Sequence, residues 1–230
     1  MSRWSQCPGS VKHLERNPSA TSAAATEGTL AHDMSEQKLN HELYGNPFAR
    51  PVCLDADMED YTNDYVEYCL DLHQETRGGC SVEQKFKLDY IREDVFGTND
   101  FSCWSDMEVL HVVDLKYGKG KVYAKENKQL FYYALGAIHQ NKLDPYLIYF
   151  HIYQPRVSPK TNVWETSIGR VLQFEQELRT AIGRVDNESE LRVPGSHCYF
   201  CNRLACPEYV EAEKAKMRTE PEDTIILTGN

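Results

Sequence analysis

The hydrophobic pattern changes period at Gly78-Gly79, and that change restricts the chain to architectures that pack helices on a sheet. Upstream, Met58, Tyr61, Tyr65, Tyr68, Cys69 and Leu72 recur at three-and-four spacing within residues 51–77, the apolar stripe of a helix whose other face is acidic and solvated. Before it, Ser19-Ala20-Thr21 is placed to cap a helix running through TEGTLAHDMSEQKLNHEL and stopping at Gly45 and Pro47. Downstream, apolar and polar residues alternate in SVEQKFKL, FGTNDFSCW and EVLHVVDLKYG, which predicts three short strands joined by tight turns. Ala124–His139 carries Leu130, Tyr133, Ala134, Ala137 and Ile138 as a helical stripe. PYLIYFHIYQPR and NVWETSIG read as a fourth and fifth strand, and Arg170–Arg184 as another helix. This order predicts an α/β (α+β) fold, a mixed five-stranded sheet flanked by helices. Tyr146, Tyr149, Phe150 and Tyr153 are expected to fill the sheet core, and residues 220–230 to form a poorly ordered tail.

With 230 residues the chain fits one domain over 1–219 with short appendages. Its 41% hydrophobic and 26% charged residues exclude disordered and fibrous classes. No apolar run approaches the roughly 18 residues of a membrane span. The opening MSRWSQCPGS has no apolar core of a secretory signal, so a cytoplasmic protein is expected. Eight cysteines in such a compartment point to metal or cluster binding rather than to disulfides.

The formal charge of −10 is unevenly placed. Residues 51–76 hold eight acids and no Lys or Arg; taking those eight from 35 leaves 27 acids against 25 bases. Lys116, Lys119, Lys121, Lys125 and Lys128 meanwhile crowd into thirteen positions with one acid, Glu126. Local fields decide what a cleft attracts, so the total does not exclude a polyanionic substrate.

Val113-Asp114-Leu115-Lys116 closes a strand, and alternation sets Asp114 and Lys116 on one face. A strand-borne surface ion pair would look the same. The pairing also suits metal-assisted phosphodiester hydrolysis: a carboxylate binds Mg²⁺ or Mn²⁺, and an ammonium stabilises charge at the phosphate. Asp100 in GTND can face Asp114 across neighbouring strands, Gly97 allows the backbone to bend there, and the Leu115 carbonyl can complete the oxygen set. His32 and Glu36 share one helix face, and Gln129 and Tyr133 repeat the four-residue spacing beyond the lysine cluster. Glu83, among polar neighbours, reads as a solvent-face residue, with a further metal ligand as the lesser alternative. His111, His139 and His151 read as packing or surface residues.

Near the other end stand Cys198-x₂-Cys201-x₄-Cys206, three thiolates that need a fourth ligand to close a zinc site or a cluster. No second CxxC pair is available, which leaves Cys7 as fourth ligand and makes residues 1–18 and 195–210 the binding region. His197, beside Cys198, could serve in a zinc site. Cys53, Cys69, Cys80 and Cys103 lack ligand spacing and read as small apolar residues.

The series His32, GTND, DLK and QLFYY resembles the RecB-like branch of the PD-(D/E)XK nuclease superfamily. WSQCPGSVKHLE, TEGTLAHDMSE, VVDLKYGKG and NKQLFYYALGAI look like a phage-associated family within it. The lone N-terminal cysteine with a C-terminal trio is similar to iron–sulfur exonucleases of that branch, including the AddB subunit and CRISPR-associated exonucleases. The resemblance implies a restriction-endonuclease-like core and a Mg²⁺- or Mn²⁺-dependent DNA exonuclease of phage recombination, acting in the host cytoplasm. It implies His32, Asp100, Asp114 and the Leu115 carbonyl as metal ligands, Lys116 as catalytic lysine, and Gln129 and Tyr133 in support. Lys119, Lys121, Lys125 and Lys128 are expected on DNA. Cys7, Cys198, Cys201 and Cys206 are expected on a structural 4Fe–4S cluster, with zinc the alternative occupant. A single-strand annealing protein is the partner such systems suggest. Two other functional classes remain: an inactive DNA-binding or assembly protein on the same fold, against which the intact D-x-K pair counts, and a zinc-stabilised interaction domain.

Overall fold

The structure, a computed structural model, describes residues 2–19, 22–48, 56–105 and 108–219. Thr21, Cys53, the start of the acidic segment at 51–55 and the 220–230 tail lie outside the described residues. The chain divides into two units, Thr21–Glu177 and Met1–Ala20 with Leu178–Asn230.

The second of these holds two short helices, α1 (Ser2–Gln6) and α2 (Ser10–Arg16). In the larger unit, α3 (Ala23–Tyr44) and α4 (Ala56–Thr76) precede β1 (Cys80–Lys87), β2 (Phe96–Trp104) and β3 (Val109–Leu115). Next come α5 (Lys128–Asn141), β4 (Leu147–Tyr153), β5 (Thr161–Ser167) and α6 (Ile168–Asn187), whose last turns belong to the smaller unit. There, short 3₁₀ turns at Ser196–Phe200 and Arg203–Ala205 lead into α7 (Pro207–Thr219). No described helix is long and apolar enough to cross a membrane.

The sheet order is β1-β2-β3-β4-β5, with β3 and β4 parallel and the other pairs antiparallel. This is the mixed, helix-flanked sheet expected of a restriction-endonuclease-like core. A parallel pair needs a crossover, and α5 supplies it. On one face α3 and α4 bury Leu39, Tyr65, Val66, Cys69 and Leu72 against Phe101, Cys103, Val113, Leu115 and Tyr153. On the other, Phe131 of α5 meets Phe150 edge-on at 5.0 Å and stacks on Phe174 of α6 at 4.9 Å. Each such buried aromatic is worth about 2–3 kcal/mol of burial.

Several boundaries differ from expectation for local reasons. The α3 cap is Ser22, whose hydroxyl accepts from Ala25 N, rather than Ser19-Ala20-Thr21, and Gly45 ends the helix in the left-handed region at φ 67°. The helix predicted from Ala124 begins at Lys128, because Asn127 caps it by accepting from the amides of Gln129 and Leu130 and Glu126 sits at φ 55°. α7 carries no strong apolar periodicity and was not foreseen. Tyr146 is 62% exposed, outside the core assigned to it, while Phe150 and Tyr153 are buried. His151 is buried and bonds to Tyr68 Oη at 2.6 Å and to His111 Nδ1 at 2.9 Å.

The sheet's pleat reverses once, and the reversal positions the site. Val82 packs toward α4, yet Phe86, four residues on, packs beneath Gly136 of α5. Phe101 likewise faces α4, whereas Gly97 faces Tyr132 and Tyr133 of α5. Alternation puts residues four apart on one face, so both strands turn over in between. The turning points are Glu83, at φ 44°, and Asp100, the one opposed position between Val82–Phe101 and Gln84–Asn99 that the β1–β2 ladder leaves unpaired.

Candidate functional site

At that reversal three side chains meet. His32 of α3 lies with Nδ1 3.3 Å from Asp100 Oδ1 and 3.6 Å from Glu83 Oε1. Among the described residues His32, Glu83 and Asp100 form a group whose ligand atoms all lie within 4.8 Å of one another. Burial alone would lower the His32 pKa, but the Asp100 and Glu83 carboxylates override it and push it up to about 10. Glu83 therefore corrects the solvent-face reading: its backbone turn carries the carboxylate inward. Glu36, the expected companion of His32, is outside this group; burial and the nearby Glu83 and Asp33 raise its pKa.

The ladder pairing Phe101 with Val113 brings Asp100 opposite Asp114 across β2 and β3. Asp100 Oδ2 accepts from the Leu115 amide at 2.6 Å, which ties the two strand ends together. Asp114 is 1% exposed, and its pKa is raised to about 6 by burial and by Asp100 against the opposing pull of Lys116. The Lys116 ammonium stands 2.5 Å from Asp114 Oδ2, yet that oxygen makes no well-directed hydrogen bond. The contact is a buried ion pair, and the charge of Lys116 offsets the cost of burying the Asp114 carboxylate.

A relay from α5 fixes the lysine. Lys116 Nζ donates to Gln129 Oε1 at 3.0 Å, and Gln129 Nε2 donates to Tyr133 Oη at 2.6 Å. The i, i+4 spacing of Gln129 and Tyr133 makes this possible, and the Asn127 cap sets where the helix starts. Gly97 gives the clearance: a Cβ there would stand 2.7 Å from the Tyr132 ring and 3.3 Å from that of Tyr133. Its role is this close approach rather than the bend expected of it. Lys119, Lys121 and Lys125 are exposed on the connection from β3 to α5, and Lys128 opens α5.

The smaller unit gathers the other predicted set. Cys7, Cys198, Cys201 and Cys206 line one small cavity, of about 20 Å³, together with Arg3 and Arg192. The Val193 amide donates to Cys7 Sγ at 3.3 Å and the Gly195 amide to Cys198 Sγ at 3.4 Å. Among the described residues no three of these thiols come within 4.8 Å of one another. His197 turns elsewhere, its ring nitrogens bonded to Gln6 Oε1 at 3.1 Å and the Val193 carbonyl at 2.9 Å. Cys69 and Cys103 are buried among apolar side chains, as expected.

Fold and site together describe a sheet-borne carboxylate–imidazole–lysine centre. The chain belongs to the DUF2800 family, described as a protein of unknown function, whose profile matches residues 1–229. Among solved structures, the chain is similar to a Eubacterium rectale protein provisionally assigned as an exonuclease, at 10% identity and TM-score 0.47 over 85% of this chain and 79% of that one. It is also similar to an alkaline exonuclease from Laribacter hongkongensis, at 11% identity and TM-score 0.31 over 94% and 96%.

Proposed function

We propose that this chain is a divalent-metal-dependent deoxyribonuclease that degrades DNA from its ends in phage recombination or DNA processing. The observation that carries the reading is the convergence of Asp100, Asp114 and His32 beside one lysine held by Gln129 and Tyr133. Glu83 joins them, and the buried Asp114 carboxylate faces the Lys116 ammonium. His32, Glu83 and Asp100 are a donor set suited to Mg²⁺ or Mn²⁺, and the reading adds Asp114, on the neighbouring strand outside that group, and the Leu115 carbonyl as further ligands. When bound, such an ion lowers the pKa of its water and neutralises charge on the scissile phosphate. Lys116 holds positive charge where the pentacovalent phosphate becomes most negative, and Gln129 keeps its ammonium aimed there. Tyr133 orients the Gln129 amide, so its contribution is positional. Lys119, Lys121, Lys125 and Lys128 carry the phosphate backbone, which makes binding salt-sensitive.

We assign the four cysteines to a structural 4Fe–4S cluster on thiolate softness and the one-plus-three pattern, with zinc as the alternative occupant. Backbone N–H groups on two sulfurs and arginines at the cavity wall offset thiolate charge. The protein then works in the host cytoplasm, with an annealing protein as the natural recipient of resected DNA.

The test uses end-labelled linear and closed circular DNA in Mg²⁺ and in Mn²⁺. Wild-type protein is expected to degrade the linear form, and Asp114→Ala and Lys116→Ala to lose that activity with unchanged circular dichroism. Undiminished cleavage by either variant removes the assignment. Protein purified without oxygen is expected to be brown; a colourless, zinc-bearing preparation overturns the cluster.

A further inference from the structure

The connection between β3 and α5, residues 116–127, begins and ends at the candidate site, since Lys116 Nζ and Gln129 Oε1 are 3.0 Å apart. A connection of this length with no helix or strand of its own would ordinarily be mobile. This one is pinned from beneath. The buried Gln154 accepts from Val122 N at 2.8 Å and donates to the Gly120 carbonyl at 2.9 Å, so a single amide clamps the backbone on both sides of Lys121. Asn162 of β5 accepts from Ala124 N at 2.7 Å, and Asn127 donates to the Tyr123 carbonyl at 3.0 Å. Tyr123 lies between these ties, and its side chain is 58% exposed.

What the segment combines, on a backbone tied at four points, is a run of cations and an exposed ring. Several cations of the unit pair with acids, as Arg156 does with Glu27, Lys160 with Asp64 and Arg170 with Glu126, while Lys85, Lys87 and Lys142 are exposed without an ion pair among the described residues. Lys119, Lys121 and Lys125 are exposed and make no ion pair among the described residues. The only acid within the segment, Glu126, is held by Arg170. The Lys121 ammonium stands 5.5 Å from the Tyr123 ring centroid, which couples a phosphate-seeking charge to a flat aromatic surface. Ring plus cation on a backbone that cannot drift is the arrangement that stacks an unpaired base while neighbouring lysines follow its phosphates.

We propose that Tyr123 is a base-stacking residue beside the active site, backed by Lys121 and held in place by Gln154, and that it selects an unpaired nucleotide at the end of the DNA. This deepens the nuclease reading above and rests on it. A base inside a duplex offers no free face, so the subsite takes a single strand or a frayed terminus.

Binding of labelled oligothymidine and of a blunt duplex is measured by fluorescence anisotropy without divalent metal, so that nothing is cut. Tyr123→Ala is expected to weaken single-strand binding by about 5- to 100-fold, the effect of losing one stacked base. Blunt-duplex binding should change by less than about twofold, and Tyr123→Trp should retain single-strand affinity. Replacing Lys119, Lys121 and Lys125 by alanine should flatten the salt dependence by about two ions, at about 0.7 per single-strand phosphate. Gln154→Ala, which keeps Tyr123 but frees its backbone, should also lose the single-strand preference. Equal single-strand binding by wild type and Tyr123→Ala, or equal weakening on both substrates, overturns the proposal. Wild-type protein that binds and cuts while Tyr123→Ala is unaltered leaves the nuclease reading standing and the stacking role refuted. Wild-type protein that binds single strands through Tyr123 but never cuts refutes the nuclease instead.

Discussion

Gly97→Ala adds one methyl group to β2 and tests how the fold delivers its chemistry. The new Cβ would lie 2.7 Å from the Tyr132 ring and 3.3 Å from that of Tyr133. Ordinary carbon contacts begin near 3.4 Å, so Tyr132 must retreat by about 0.7 Å. Neither ring can swing freely, since both are buried and Gly136, one turn on, already packs against Phe86. The relief available is a small shift of α5 away from the sheet. Overpacking of this kind costs about 1–3 kcal/mol, offset by about 0.5–1 kcal/mol because alanine suits a strand better than glycine. The net loss, about 0–2.5 kcal/mol, should lower Tm by at most several degrees. Activity should suffer more. The same helix carries Gln129 and Tyr133, and displacing catalytic groups by an ångström can cost about 100-fold. A thermal melt and a metal-dependent degradation assay on one preparation measure both. Gly118→Ala and Gly120→Ala are the controls, because nothing lies within 4 Å of a Cβ at either position. Wild-type activity in a Gly97→Ala protein would show that the α5 relay does not hold Lys116, and the site argument would fail with it.

Other consequences follow from single residues. Glu83→Gln keeps the shape of the turn but removes one ligand charge, so the Mn²⁺ concentration for half-maximal cleavage should rise about 10- to 100-fold; an unmoved curve excludes Glu83 from the metal. Cys7→Ser should lower bound iron and Tm together, and full iron content in that variant would disprove closure by the N-terminal cysteine. Burial lowers the pKa of His151 to about 3 and of His111 to about 4, so both stay neutral in the fold while the unfolded chain protonates them below about 6.5. Stability they confer is complete above that pH and lost as pH falls toward 4, by at most about 1.4 kcal/mol per pH unit for each. Urea midpoints at pH 7 and pH 5 check this: the gap should shrink in His151→Gln, and a gap of wild-type size in that variant would refute it.

Periodicity made much of this architecture legible. Strands announced themselves by alternation because each has one face on a helix layer, and the D-x-K and Q-x₃-Y spacings depend only on the strand and helix repeats. Expectation failed where one residue overrides its neighbours. Asn127 and Glu126 move the start of α5 by four residues, and Ser22 replaces an equally plausible serine three positions earlier. Nothing local distinguishes Ser19 from Ser22, since capping depends on which amides stand free in the folded helix. Gln154 and Asn162 were invisible as anchors because their partners are backbone groups 32 and 38 residues away.

Glu83 shows why a candidate metal ligand can hide from pattern reading. Alternation places its side chain by parity with Val82 and Gln84, and that parity holds only if the strand keeps one pleat. A non-glycine residue at φ 44° within a strand costs on the order of 1–3 kcal/mol and persists only where surrounding structure enforces it. Here the enforcement comes from both sides, with Val82 half-buried against the α4 cluster and Phe86 buried against α5. Those two apolar anchors demand opposite faces from residues that share a parity, and the strand can satisfy both only by turning over between them. The turn falls at Glu83 and opposite Asp100, so the strain and the carboxylates occupy one place. Relieving the turn would force one apolar anchor into water and carry a ligand out of the site. Core packing and the carboxylate cluster thus share one distortion, and a strained glutamate stands where any regular strand residue would be more stable.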